Sequence, residues 1–150
     1  MNEIQYISYD EALSIYQKTI EKSGGGFSGI RDKGGIESVL EFVQNDSYYP
    51  DFISKLSYLV FRFCSGHFFF DGNKRIALTL GVYFLNKNGH YWAVKHFMQR
   101  MEAIIYHTAA SNIDDKMLVR IIKCIVDCQD FDEELKIDII HAIQKEKSVN

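Results

Sequence analysis

The run His67-Phe68-Phe69-Phe70-Asp71-Gly72-Asn73-Lys74-Arg75, with the segment that follows it, decides the fold of this 150-residue chain. Asp71-Gly72 between apolar residues is a hairpin-turn signal, with Phe68 to Phe70 as the incoming strand. After the turn, however, Ile76, Ala77, Leu80, Tyr83 and Phe84 recur at helical spacing and do not alternate, so the outgoing arm is a helix. Phe52, Leu56, Leu59 and Phe63 give the same spacing before the run. The run is therefore a loop between two central, buried helices. Further helical spacing predicts an all-α chain, with helices near residues 8–22, 35–45, 51–64, 73–88, 97–110, 114–128 and 131–145. Tyr91 to Val94 reads as a short extended piece after the Asn88-Gly89 helix stop.

A loop that feeds a helix N-terminus is a place where anions bind, because free amides and the positive end of the helix dipole converge there. Gly72 lets the backbone approach a phosphate, and Asn73, Lys74 and Arg75 add an amide and two cations. Two cations in a first turn oppose the dipole by a few tenths of a kcal/mol unless an anion compensates. Asp71 can hold a divalent metal such as Mg2+ against that phosphate. The imidazole of His67 suits proton abstraction from an attacking hydroxyl. Taken singly, each has a structural reading: Asp71 as N-cap, Lys74 and Arg75 as a solvated turn, His67 as a loop histidine. Their coincidence favours chemistry. Phe69 reads as a core anchor for the loop.

The run resembles the Fic/Doc signature H-x-F-x-D/E-G/A-N-G/K-R, through His67, Phe69, Asp71, Gly72, Asn73 and Arg75. Lys74 matches the death-on-curing branch, where Fic adenylyltransferases carry Gly. Gly26 to Asp32 with Ile36, Glu37 and Leu40, and Phe84 to Gly89, extend the resemblance over most of residues 4–92; beyond about His96 it is only that of helix to helix. It implies one helical domain over residues 1–150, in which the loop binds ATP and Mg2+ and the histidine activates a hydroxyl of a target protein. With Lys74 and with Leu78 where adenylyltransferases carry a second arginine, it implies γ-phosphoryl transfer. Gly72 in place of the branch's usual Ala, and Phe70 where a polar residue is common, keep AMP transfer as the alternative. A non-catalytic nucleotide- or phosphate-binding domain is a second one. The resemblance also makes the loop from Gly24 to Gly35 a flap over the site. No S/T-x-x-x-E-G/N self-inhibitory pattern occurs in the chain. By resemblance this points to a separate antitoxin and to a toxin acting on a target such as a translation elongation factor.

Other patterns carry less. Gly24-Gly25-Gly26-Phe27-Ser28-Gly29 fits G-x-G-x-x-G, but residues 8–21 before it read as a helix, with a Ser8/Glu11 capping box, where a dinucleotide site needs a strand. The net charge of −3 without a basic run predicts no direct nucleic-acid role. The longest apolar stretch, Leu56 to Phe70, is broken by Arg62 and His67, so no membrane span and a cytoplasmic location are expected. Cys64, Cys124 and Cys128 are odd in number and lack a C-x-x-C pair. Cys124 and Cys128, one helical turn apart, read as small core residues beside Ile121, Ile122 and Ile125 in preference to a metal site with His107 or His141, since no spacing fits a zinc pattern. His90, His96 and His107 are read as histidines without a role.

Overall fold

Ser8 starts the first helix as its spacing predicts: its hydroxyl accepts the Glu11 amide at 3.1 Å, and the Glu11 carboxylate accepts the Ser8 amide at 3.1 Å. The computed structural model describes residues 3–24 and 29–148, with the side chains described as far as residue 144. Residues 25–28, which belong to the expected flap and to the glycine-rich pattern, lie outside the described residues. The helices are α1 (Tyr9–Lys22), α2 (Lys33–Phe42), α3 (Phe52–Ser65), α4 (Asn73–Lys87), α5 (Val94–Ala109), α6 (Asp115–Val126) and α7 (Glu133–Ser148). No strand forms among the described residues; a lone antiparallel bridge joins Ile30 to Phe69.

The fold is all-α, and its centre is the packing of α3 on α4, the most extensive contact between helices. Leu56, Leu59 and Phe63 on α3 and Ile76, Leu80 and Phe84 on α4 are all at most 1% exposed. Burial of such side chains contributes about 1.5–3 kcal/mol each. α1 and α5 flank α4, α6 lies on α3 and α5, α7 packs on α6, and α2 closes the edge beside α3. One apolar core runs through all of them, from Ile7 to Ile139.

Several boundaries differ from the periodic reading for reasons of capping. α2 begins at Lys33 because the Asp32 carboxylate accepts the Gly35 amide at 2.9 Å, and Asp132 caps α7 through Leu135 at 2.8 Å. α6 ends at Val126, so Cys128 lies beyond the helix with φ 56° and does not share a helical face with Cys124. Residues 91–93 form a 3₁₀ turn, not an extended piece. That winding buries Ala93, leaves Tyr91 and Trp92 outside, and lets the Trp92 indole donate to the Val126 carbonyl at 3.2 Å. It also runs directly into α5, which starts at Val94 and not near residue 97.

Candidate active site

The chain leaves α3 through Gly66, and His67 follows with φ 53°, in the left-handed region that non-glycine residues seldom enter. Such a conformation costs of order 1–3 kcal/mol and persists only where surrounding contacts determine it. The contacts here come from the flap side. Arg31 and Asp32 both donate backbone N–H groups to the Phe68 carbonyl, at 2.8 and 3.0 Å, and the Phe70 amide donates to the Gly29 carbonyl at 3.1 Å. The Arg31 guanidinium donates to the His67 carbonyl at 3.3 Å. Phe68 and Phe69 are each 1% exposed, so Phe69 is the core anchor that its position suggests, while the His67 side chain faces solvent. Phe69 stacks on Tyr16 of α1, with ring centroids 3.8 Å apart and planes 11° from parallel.

Gly72 takes the N-cap position of α4 with φ 81°, and no side chain caps the helix. The Asp71 reading as N-cap therefore does not hold. Its carboxylate lies 3.5 Å from Arg75 Nη2 in a half-exposed pair worth little by itself. The Gly72 carbonyl accepts the Ile76 amide at 2.9 Å, and the amides of Asn73, Lys74 and Arg75 precede the first intrahelical bond. Asn73 turns back into the loop. Its carbonyl oxygen accepts the Phe69 amide at 3.1 Å and its amide donates to the Phe69 carbonyl at 2.9 Å. Lys74 stands exposed on the first turn, and Arg75 is half-buried.

A cleft of about 290 Å³ lies between α4 and α5, walled by Lys74, Arg75, Leu78, Glu102, Ile105 and Tyr106. A second, of about 430 Å³, lies between α1 and α4 and brings Lys18 and Lys22 to the other side of Arg75 and Leu78. Leu78 thus sits in the wall of both clefts. Under the site, burial pushes the Cys64 thiol up to about 11, against the opposing pull of the Lys74 charge. Among the described residues no three His, Cys, Asp or Glu side chains group as a metal cage. A lone carboxylate, Asp71, beside open helix amides fits a magnesium ion that shares its coordination with substrate phosphates. No helix among the described residues is long and apolar enough to cross a membrane.

The structure therefore places Asp71, Gly72, Lys74 and Arg75 at one helix N-terminus, gives Asn73 the task of closing the loop, and leaves the His67 side chain exposed on the left-handed turn that leads into it. The sequence reading missed Tyr16 and Arg31 as parts of this site. Tyr16 looks there like one more apolar position of α1, and the contacts of both residues are long-range. Residues 6–85 match the model of the Fic/DOC family, a span from before α1 to near the end of α4 that holds the entire site. The chain is also similar to "Protein kinase doc" of Escherichia phage P1, with 33% identity over 90 residues, covering 57% of this chain and 70% of that protein.

Proposed function

The chain belongs to the Fic/DOC family, and from that premise we propose that it is an ATP-dependent transferase that moves the γ-phosphoryl group of ATP to a hydroxyl of a target protein. The observation that carries this reading is the uncapped start of α4, with Gly72 left-handed and Lys74 beside it, and with Leu78 in the cleft walls where a second arginine would grip the nucleotide. The name of the phage P1 relative, a protein kinase, supports it.

In this mechanism the target hydroxyl oxygen attacks the γ-phosphorus, the bond to the β–γ bridging oxygen breaks, and ADP leaves. His67 takes the hydroxyl proton. The open amides from Gly72 onward orient the phosphates, and Lys74 and Arg75 neutralise the charge that develops on the transferring group. Asn73 acts through the loop that it closes. Asp71 would hold Mg2+, which supplies charge neutralisation between the phosphates.

AMP transfer is the second reading, because Gly72 is the residue adenylyltransferases carry. Gly72 has a local reason, however. A Cβ there would lie 2.7 Å from Ile20 Cδ1 of α1, on a backbone with φ +81°. Packing against this α1 accounts for the glycine whatever the donor orientation. By resemblance the reading extends to a cytoplasmic toxin, paired with a separate antitoxin and directed at a translation factor.

The test incubates the purified chain and its His67→Ala variant with host lysate and ATP labelled at the γ- or the α-phosphate. Histidine-dependent γ-label on a protein band is the expected result. Label from the α-phosphate would make the chain an adenylyltransferase; ATP binding without label from either position would leave a binding domain.

A further inference from the structure

Tyr16 belongs to α1, far from the motif in sequence, yet its side chain joins three parts of the site. Its ring stacks on Phe69, its hydroxyl donates to the Asp71 carbonyl at 2.9 Å, and the Gly29 amide of the flap approaches that hydroxyl at 3.5 Å. Tyr16 is 4% exposed. A core position on α1 would need only the ring.

The hydroxyl has a consequence for the peptide between Asp71 and Gly72. All described peptide bonds are trans, so the carbonyl of a residue and the N–H of the next point in opposite directions. A carbonyl drawn toward α1 turns the Gly72 N–H away from α1. That N–H has no hydrogen-bond partner among the described residues, and it directly precedes the open amides of α4. Gly72, at φ 81°, is also the residue type that tolerates either orientation of that peptide, since glycine populates both signs of φ about equally. Nothing in Gly72 itself selects the direction of its amide.

We infer that Tyr16 is a positioning residue of this site: its hydroxyl fixes the Asp71–Gly72 peptide so that the Gly72 amide joins the phosphate-binding amides at the start of α4. The inference rests on the nucleotide-binding reading for the identity of the anion, but not for the peptide geometry. Tyr16→Phe keeps the ring on Phe69 and removes only the oxygen.

The experiment compares the full chain with Tyr16→Phe in two measurements. In the ligand-free protein, the φ-sensitive couplings and the amide shift of Gly72 are read by NMR. Titration calorimetry then gives the affinity for Mg-ATP and for pyrophosphate, with His67→Ala as the variant that keeps binding. The expected result is a second Gly72 conformation in Tyr16→Phe and an affinity lower by roughly three- to tenfold, as the loss of one neutral hydrogen bond allows. The melting temperature should fall by only a few degrees, as the loss of a single hydrogen bond gives. Unchanged Gly72 couplings, or altered couplings with full affinity, would overturn the inference. If the wild type binds neither ligand, the nucleotide reading fails, and the Gly72 couplings alone decide whether Tyr16 sets the peptide.

Discussion

Replacing Gly72 by alanine tests whether the motif loop is fitted to this particular α1, because the death-on-curing proteins that the motif resembles usually carry Ala there. Two costs add. A residue with a Cβ held at φ +81° loses roughly 1–2 kcal/mol relative to glycine. The new Cβ would also stand 2.7 Å from Ile20 Cδ1, and Ile20 is 6% exposed with little room to withdraw. Overpacking of this kind costs typically 1–3 kcal/mol, and the lower end applies because the obstructing atom ends a flexible side chain. The sum is about 2–4 kcal/mol, or a fall in melting temperature of roughly 5–15 °C for a domain of this size. Ile20→Val removes the obstructing methyl and should by itself cost about 0.5–1.5 kcal/mol. Calorimetric melting of the single and double variants closes the cycle. The double variant should be more stable than the two single losses predict, by about 1 kcal/mol of coupling. Strict additivity, or a Gly72→Ala melting temperature equal to the wild type, would refute the packing account. Gly72 would then again speak for adenylyl transfer.

Burial alone would raise the Glu11 pKa, but hydrogen bonds from Lys87, Tyr83 and Ser8 outweigh it and bring the group from its ordinary 4.5 to about 2. A depressed acid stabilises the fold above its unfolded pKa and loses that contribution as pH falls through the folded one, so urea titrations from pH 5 to 2 should show a loss of order 1–3 kcal/mol that Glu11→Gln flattens. Asn73→Ala should destabilise by about 1–3 kcal/mol, because it leaves the amide and carbonyl of the buried Phe69 without the Asn73 partner; an unchanged denaturation midpoint would contradict the clasp. Alkylation of the native protein at pH 8, followed by peptide mass spectrometry, should modify the exposed Cys128 and spare Cys64, whose thiol is buried and raised to about 11.

Much of this was legible in the sequence where local rules apply. The Ser8/Glu11 box, the central helices and the switch to helical spacing after Asp71-Gly72 all need only neighbours in the chain. Asp32 and Asp132 are readable caps as well, and following apolar spacing alone misses them by about two residues. The Asn73 clasp lay within reach too, since its partner is four residues away. The contacts of Tyr16 with Asp71, and of residues 29–32 with residues 67–70, have no such local signal. They depend on where α1 and the flap come to rest against the loop.

Those non-local contacts change the account of what holds the site. The helices on either side of the motif hold its middle, through the Asn73 clasp on Phe69 and the edge contact of Phe63 with Phe68, but the turn at His67 is held by other contacts. The left-handed turn at His67 costs of order 1–3 kcal/mol. Three backbone hydrogen bonds from residues 29–32 and 70, with the Arg31 guanidinium on the His67 carbonyl, contribute about 0.5–1.5 kcal/mol each and can offset it. The proposed general base therefore owes its orientation to the flap, and the proposed anion site owes its Gly72 amide to α1. Weakening the flap contacts, as Arg31→Ala does, should relax His67 long before it loosens the core of α3 and α4, so that proposed catalysis and global stability respond to different residues.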